Sequence, residues 1–277
     1  MIRSVLAAAA IALAFAPPAL AADAALKAAI AGSQRTQENT VRDGARHPAE
    51  TLAFWGLKPK QTVIEVTPGS GYWTEILAPY AKATGGKYIA TAADLDNPKL
   101  SEGSRKYRAT FEAKYADQAK YGVIGYANFG PVSKALGPPG SADMVITARN
   151  IHNWMWEPGR LEKALADFHA VLKPGGILAV EEHRADPRAQ VADARDGYVA
   201  TATVIAAAEK AGFKLAAKSE INANPKDTKD HPFGVWTLPP TRQSAPNDKP
   251  DDTAFDHTKY DAIGESDRMT LRFVKTG

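Results

Sequence analysis

A short segment near the start of the chain combines a carboxylate with small residues, a combination that can hold a charged ligand. Glu65 lies in a β-branched run, TVIEVT, and Gly69, Ser70 and Gly71 follow it closely. Small residues let the backbone approach a ligand, and the free N–H groups of a helix that starts there attract an anion. A carboxylate accepts hydrogen bonds from an ammonium group. The pattern therefore predicts a site for a ligand that carries both charges, as an amino acid does.

Better-known phosphate and nucleophile motifs fit this segment poorly. A dinucleotide fingerprint needs a third glycine, but Thr74 stands in that place after Gly69 and Gly71. The Gly-Lys-Ser/Thr ending of a Walker loop is absent, and so is a Gly-x-Ser-x-Gly nucleophile elbow. The small residues are thus not explained by these three motifs.

Two polar residues follow a later apolar run and are candidates for acid–base chemistry. Asn150 and His152 come just after the segment ADMVITA. An imidazole has a pKa near neutrality, so His152 is a candidate general base, with Asn150 beside it in a binding pocket. The alternative interpretation is a polar strand end whose hydrogen bonds are all satisfied within the fold.

A second candidate group ends the next apolar run. Glu181, Glu182 and His183 are consecutive, and a carboxylate next to an imidazole can deprotonate an acceptor or bind a metal ion. Adjacent strand residues point to opposite faces, so we expect only one of the two glutamates to face a pocket. Because no third matched ligand is evident, we predict catalytic roles for Glu182 and His183 and no metal site.

The elements that would position these residues alternate between strand and helix. Near-continuous apolar strands separated by helices predict an α/β fold with a mostly parallel sheet covered on both faces. The last two strands follow a helix and are separated by a long excursion, which favours an antiparallel hairpin at one edge. The predicted strands are residues 62–67, 87–93, 123–127, 142–148, 177–180, 213–221 and 269–274.

The remaining segments divide the chain into a leader, an appendage and one domain. Residues 1–21 have a positive start, an apolar run and a small-x-small end, so we predict a signal peptide and export, into a bacterial periplasm. Residues 22–61 are predicted to form a helical appendage, and residues 62–277 the α/β domain. Within that domain, residues 222–265 form a long insertion, which is usually a lid or disorder.

Composition excludes several classes of function. The 277 residues include no cysteine, which rules out a thiolate zinc site and a cysteine nucleophile. The formal charge is +3, from 34 basic and 31 acidic residues, and this near-balance predicts no nucleic-acid partner. Outside the leader no run of 18 apolar residues occurs, so no stable membrane insertion is expected after signal cleavage.

Three ordered segments resemble the motifs of class I S-adenosylmethionine (SAM)-dependent methyltransferases. They are TVIEVTPGSGYWTEIL, SADMVITARNIHNW and LKPGGILAVEEH, within a resemblance that covers roughly residues 48–220. The resemblance implies a Rossmann-like fold, a seven-stranded sheet and SAM as cofactor. RDGARHPAETLAFWGLKP and YDAIGESDRMTLRFVK resemble a group of exported, predicted methyltransferases.

The resemblance also assigns cofactor roles to individual positions. Glu65 matches the acid of the first strand, while Thr67 stands where the family has its first glycine. Asp94 is the nearest match to the ribose-binding acid, although Thr91 and Ala92 occupy the places where it is first expected. Asn128 matches the adenine-side residue. The implied cofactor-binding residues are Glu65, Thr67, Pro68, Gly69, Gly71, Tyr72, Asp94 and Asn128.

Three functions remain open at this point. The first is methyl transfer from SAM to a small molecule, with Asn150 and His152 at the acceptor. The second is an exported, non-catalytic protein that binds a nucleoside or another small molecule, which the Thr67-Pro68 departure favours. The third is an enzyme of other chemistry that uses Glu182 and His183. The sequence names neither the acceptor nor the oligomeric state.

Overall fold

The computed structural model describes residues 24–187 and 190–277. The predicted signal peptide at residues 1–21 lies outside this part of the chain, so it and the predicted export stay predictions. The described residues form one sheet of seven strands. These are β1 (Thr62–Val66), β2 (Lys87–Ala93), β3 (Ile124–Phe129), β4 (Ala142–Ala148), β5 (Leu172–His183), β6 (Phe213–Ser219) and β7 (Arg268–Lys275).

The strand order is β3-β2-β1-β4-β5-β7-β6. The first five strands in that order pair in parallel, as in the register of Ile64 with Ile89 and with Val145. β7 pairs antiparallel with both β5 and β6. The predicted parallel sheet with an antiparallel hairpin at one edge is therefore confirmed. Parallel pairing brings the carboxyl ends of β1, β4 and β5 to one side, where ligands bind in open α/β sheets.

Helices cover the sheet on both faces, as predicted. The helices are α1 (Ala24–Ala31), α2 (Gln37–Thr40), α3 (Asp43–Arg46), α4 (Pro48–Trp55), α5 (Thr74–Thr84), α6 (Glu102–Lys114), α7 (Gln118–Tyr121), α8 (Ile151–Trp154), α9 (Arg160–Val171), α10 (Thr201–Lys210) and α11 (Thr258–Ile263). None of the helices within residues 24–187 and 190–277 is long and apolar enough to span a lipid bilayer.

Side chains alternate across the sheet and build a core on each face. Val63 joins the core that contains Trp55 of α4 and Ile76 of α5, whereas Ile64 joins the core that contains Phe168 of α9. This period of two is the geometry of a strand buried on both faces. Residues 102–121 form two helices, α6 and α7, because the carboxylate of Asp117 accepts from two backbone N–H groups and begins α7.

The described part of the N-terminal appendage is helical and packs against the body. The side chain of Thr36 donates to the buried carboxylate of Glu75 on α5, and its backbone N–H donates there at 2.9 Å. Gln34 donates to the backbone carbonyl of Glu75 at 3.1 Å. These bonds attach the appendage to the helix that follows the glycine-containing segment.

The insertion at residues 222–265 is mostly irregular and is tied down by a buried carboxylate. Asp227 accepts from the hydroxyl of Tyr198 (3.0 Å) and from the backbone N–H of Asp267 (2.7 Å). Nε2 of His231 lies 2.9 Å from the same carboxylate. One 3-10 turn, Gly234–Thr237, lies within the insertion, and its first residue has a positive φ of 56°. The insertion thus has its own polar anchor.

Candidate functional site

A cavity of about 250 Å³ opens at the carboxyl ends of β1, β4 and β5. One side of it is lined by Glu65 and by residues 67–70 of the following loop, defined here as the glycine loop (residues 67–71). Asn150, His152 and His183 line another side. The structure therefore brings the predicted acid of the first strand to one space with three of the four predicted catalytic residues, while the fourth, Glu182, does not line it. We call this space the first cavity.

A second cavity, of about 330 Å³, lies on the other side of the glycine loop. Thr67, Pro68 and Gly69 line both cavities. The second cavity is otherwise formed by the end of β2, including Thr91 and Ala92, by one face of α6, and by Phe129 and Arg160. The residues from α6 are Gly103, Ser104, Tyr107, Arg108 and Phe111. Their spacing of three to four residues is the signal that would have indicated this face.

Glu65 is buried and its charge is poorly compensated. Oε2 accepts from the Thr74 hydroxyl at 3.0 Å and from the Tyr88 hydroxyl. Burial raises the pKa of Glu65 from 4.5 to about 7, although the two hydrogen bonds act in the opposite direction. A cation placed in the first cavity would favour the charged form of this carboxylate.

The surroundings of Gly69 and Gly71, the two glycines of the loop, are different. A Cβ on Gly69 would meet no atom within 4 Å, so this position, at a φ of 59°, is open to the cavities. A Cβ on Gly71 would lie 1.8 Å from the Tyr115 hydroxyl, and Gly71 lines neither cavity. The structure thus gives Gly71 a packing requirement, whereas its predicted role in cofactor binding stays a prediction.

Thr67 adopts the left-handed conformation that the resemblance would assign to a glycine. Its φ is 48°, which is strained for a β-branched residue. Its backbone N–H donates to the Thr91 hydroxyl at 2.8 Å and so holds the strand end in place. Tyr72, which is also assigned to the cofactor, lines the first cavity and donates its hydroxyl to Asp43 at 2.7 Å.

Asp94 and Asn128 lie together, but away from the glycine loop. Both line a third cavity beyond the ends of β2 and β3, together with Asp96. Asn128 accepts from Arg108 at 2.5 Å and donates to Asp96 at 3.3 Å, while Asp94 accepts from the backbone N–H of Asp96. These two predicted cofactor residues therefore do not line either cavity at the loop.

His152 and Glu182 form a buried pair at the rim of the first cavity. His152 Nδ1 lies 2.9 Å from Glu182 Oε1, and the backbone N–H groups of Ile151 (2.6 Å) and His183 (2.8 Å) also donate to this carboxylate. Because a carboxylate oxygen accepts this hydrogen bond, Nδ1 carries the hydrogen, and in the neutral imidazole the lone pair is then on Nε2. Glu182 does not line the cavity itself, so it orients His152.

His183 is neutral and lies beside His152, with ring centroids 5.3 Å apart. Burial, followed by the nearby His152, Arg149 and Arg268, lowers the pKa of His183 well below its usual range. Its Nδ1 lies 2.5 Å from the Ser266 hydroxyl. Ligand atoms of His152, Glu182 and His183 lie within 4.8 Å of one another, but a metal ion would have to displace the donors that already surround Glu182.

Asn150 connects two strand ends within the fold. Its amide nitrogen donates to the Val66 carbonyl at 3.0 Å and lies 3.4 Å from the Thr147 hydroxyl. This donor is therefore used internally, as the alternative interpretation of Asn150 expected. The residue nevertheless lines the first cavity.

Four arginines surround two carboxylates behind the first cavity. We call this group the arginine cluster; it consists of Arg42, Arg46, Arg149, Arg268, Glu181 and Glu265. Glu181 faces the cluster and Glu182 faces His152, so strand alternation separates the two glutamates, although neither of them lines the first cavity. Arg46 and Arg268 are almost fully buried, so the cluster lies inside the protein rather than on a solvated surface.

The insertion forms a wall of the first cavity. Residues on and after its 3-10 turn line the space, including Val235, Trp236 and Pro240. The ring of Trp236 lies 5.7 Å from that of His152 and 6.2 Å from that of Trp156. The insertion thus occupies the position of a lid, while its movement stays a prediction.

No protein-family model and no curated protein sequence matches the chain. Among similar solved structures is the [4+2]-cyclase SpnF, at 13% identity and a TM-score of 0.50, covering 84% of this chain and 80% of that one. A SAM-dependent methyltransferase from Aquifex aeolicus has 22% identity and a TM-score of 0.48, covering 65% and 87%.

A third similar structure is the 1,6-didemethyltoxoflavin-N1-methyltransferase of Burkholderia thailandensis, with bound 1,6-didemethyltoxoflavin and S-adenosylhomocysteine. It has 14% identity and a TM-score of 0.47, covering 92% of this chain and 79% of that one. Likeness at these identities bears on the fold. The seven-stranded sheet, which is parallel except for β7, is the predicted Rossmann-like fold, and the similar structure with a TM-score of 0.50 agrees with it. Membership of an exported group stays a prediction.

Proposed function

We propose that this protein is a SAM-dependent methyltransferase that acts on a small molecule with a protic acceptor group. One observation carries the proposal. A buried carboxylate, Glu65, and an imidazole oriented by a carboxylate, His152, line the same cavity. The first suits the ammonium group of a methyl donor, and the second suits removal of a proton from an acceptor.

The residues around the glycine loop fit SAM. Glu65 would accept from the ammonium group, whose positive charge would stabilise the ionised form of this buried carboxylate. Gly69 leaves open space where a side chain would otherwise project. The second cavity, with Thr91 and Phe111 in its walls, would take the nucleoside. When bound, SAM supplies a methyl group that is transferred as its carbon–sulfur bond breaks, leaving S-adenosylhomocysteine.

His152 would act as the general base. Glu182 holds Nδ1–H, so the lone pair of Nε2 is available for the proton of the acceptor. The carboxylate also stabilises the imidazolium that forms when the proton arrives. Glu182 is therefore a positioning residue in this proposal, and Asn150 holds the strand ends that shape the cavity.

The walls of the first cavity would exclude water and orient the acceptor. Trp236 approaches His152 from the insertion, opposite the glycine loop. Methyl transfer depends on aligning the acceptor with the methyl group, and a closed wall contributes to that alignment. A non-catalytic binding protein has no use for the hydrogen-bonded pair of His152 and Glu182, so this alternative is not favoured.

The first test is binding of S-adenosylhomocysteine to the chain from residue 22 onward. A ligand at a hundred times its Kd adds about 2.7 kcal/mol to stability, which raises the Tm by roughly 5–10 °C for a domain of this size. We expect such a shift. Its absence at millimolar ligand would overturn the proposal.

The second test is conversion of SAM to S-adenosylhomocysteine with a panel of hydroxylated small molecules. We expect His152→Ala to keep ligand binding and to lower turnover by roughly 10²- to 10⁴-fold. His169→Gln is the matched control, because His169 packs on Phe213 and lies outside the lining of the first cavity. Equal activity of His152→Ala and the control would refute the assigned base.

A further inference from the structure

We infer that the acceptor is a small anion, in particular a hydroxy acid, whose carboxylate is held by Arg149 at the wall of the first cavity. Only the identification of this anion as the methyl acceptor rests on the proposed function. The anion site itself rests on the arrangement of the arginine cluster. Arg149 is the arginine of the cluster that lines the cavity within the described residues.

The arginine cluster carries more positive than negative charge. Glu265 is approached by Arg42 Nε at 2.6 Å, by Arg46 Nε at 3.0 Å and by Arg268 Nη1 at 2.6 Å. Glu181 lies 3.2 Å from Arg268 Nε. Within this group, four guanidinium groups face two carboxylates. The excess of two positive charges is largely removed from water, and buried charges are normally paired.

Several polar atoms of the cluster have no hydrogen-bond partner. Arg46 is fully buried, yet its Nη1 and Nη2 are unpartnered, and so is Nε of Arg149. Arg149 Nη1 lies 4.0 Å from Glu265 Oε2, the longest of the ion-pair distances in the cluster. Arg149 is thus weakly compensated by the protein.

The positive charge of the arginine cluster affects a residue that lines the first cavity. Arg149, Arg268 and Arg46 all contribute to the lowered pKa of His183, which lines the cavity. The pKa of Arg46 is lowered to about 9, chiefly by burial and then by Arg149. Glu65, which also lines the cavity, is largely neutral in the free protein at slightly acid pH. An anion in the cavity would offset the repulsion among the arginines of the cluster.

The backbone directs Arg149 to this place. Arg149 has a φ of 59°, a left-handed conformation that costs free energy in a residue other than glycine. Its N–H donates to the carbonyl of Glu181 at 2.8 Å, which fixes the turn directly after β4. His152 follows three residues later, so the same turn places the cation and the proposed base along one wall.

The dimensions and walls indicate the class of acceptor. A space of about 250 Å³ takes a small molecule rather than a macromolecule. A guanidinium group recognises a carboxylate through paired N–H donors. Trp236 and His152 present rings, which favours a flat body between the carboxylate and the hydroxyl. A small hydroxylated aromatic acid has this combination of groups.

The experiment compares matched probes that differ in charge. Binding of benzoate and benzamide, and of 4-hydroxybenzoate and 4-hydroxybenzamide, is measured by calorimetry at constant ionic strength. Saturating S-adenosylhomocysteine is present, so that the cofactor's own carboxylate cannot explain the result. We expect each carboxylate to bind roughly tenfold or more tightly than its amide, as for a charge-assisted hydrogen bond.

Variants of Arg149 assign the effect. Arg149→Gln should abolish the preference for the carboxylate, and Arg149→Lys should keep part of it. Arg105→Gln, an equal change of charge on the exposed side of α6, should keep it all. Unchanged Tm values within this set would exclude unfolding as the cause. No preference in the wild-type protein, or a preference that survives Arg149→Gln, overturns the inference.

The outcome separates this inference from the proposed function. Binding of S-adenosylhomocysteine without a preference for the carboxylate refutes the anionic acceptor alone. A preference that Arg149→Gln abolishes, in a protein that binds no S-adenosylhomocysteine, refutes the methyltransferase and leaves the anion site. Failure of both carboxylates to bind at 10 mM, a concentration about a thousandfold above a 10 µM Kd, also refutes the inference.

Discussion

Binding of S-adenosylhomocysteine should release a proton from Glu65. The pKa of this carboxyl group is raised to about 7 in the free protein, so at pH 6 it is about 90% protonated. An ammonium group that donates to Glu65 requires the charged carboxylate. Binding at pH 6 therefore releases about 0.9 proton per site, provided that the bound pKa lies well below 6.

The same linkage sets the pH dependence of affinity. At pH 7 about half of the sites are already charged, whereas at pH 6 only about a tenth are. Affinity should thus fall about fivefold from pH 7 to pH 6, which is about 1 kcal/mol. The α-amino group of the ligand is protonated throughout most of this range, so its own titration adds little at pH 6.

Calorimetry in buffers of different ionisation enthalpy measures the proton count directly. Glu65→Gln keeps an oxygen for the Tyr88 and Thr74 hydroxyl groups but cannot lose a proton. It should bind more weakly and release no proton at pH 6. Glu162→Gln, on the exposed side of α9, is the control. Equal proton release by wild type and Glu65→Gln would refute the assignment of Glu65 to the ammonium group.

Three further predictions concern stability. Thr67→Gly removes backbone strain of about 1–2 kcal/mol but adds conformational entropy of similar size to the unfolded chain, so its free energy of unfolding should rise by at most about 1 kcal/mol. Thr67→Ala should gain less. A loss of stability of more than about 1 kcal/mol in Thr67→Gly would contradict the strain. Gly71→Ala should lower stability by about 2–5 kcal/mol because its Cβ meets Tyr115, and an unchanged denaturation midpoint would contradict the packing requirement. Asp227→Ala should cost about 2–4 kcal/mol and speed hydrogen exchange in Gly234–Thr237, whereas unchanged exchange there would argue against Asp227 as the anchor.

Stability should also depend on pH through Glu65. Its folded pKa of about 7 exceeds the ordinary value of 4.5, so the folded chain binds more protons than the unfolded chain between these values. The contribution is fully present below pH 4.5 and is lost as the pH rises through 7, a change of about 3 kcal/mol. The wild-type curve minus the Glu65→Gln curve should show this fall, and parallel curves would contradict the raised pKa.

The sequence predicted the sheet because its signals are local. A run such as TVIEVT is apolar on both faces, and this pattern identifies a central parallel strand without knowledge of its neighbours. Glu65 and His152 could be assigned to one pocket for the same reason, since both follow from strand ends that meet at one edge. The element boundaries shifted by a few residues where capping side chains, such as Asp117, decided them.

The arginine cluster could not be predicted because its members are distant in sequence. Arg42 and Glu265 pair across 223 positions, and neither belongs to a periodic pattern. Asp94 and Asn128 were assigned by resemblance, but the third cavity that they share lies beyond the strand ends. The segment that contains Trp236 also contains Phe233, but nothing in the sequence places it at the cavity. Contacts of this kind depend on tertiary packing, which propensity does not encode.

The wall of the first cavity belongs to a different stretch of chain from the glycine loop. The residues that line the second cavity precede β4, with the exception of Arg160, whereas residues 235–241 and 265–266 reach the first cavity from the excursion between β6 and β7. Selection can therefore alter one stretch without disturbing the other. Under the proposed function, exchanging this one excursion would change the wall that faces the acceptor while leaving the glycine loop, Arg149 and His152 in place.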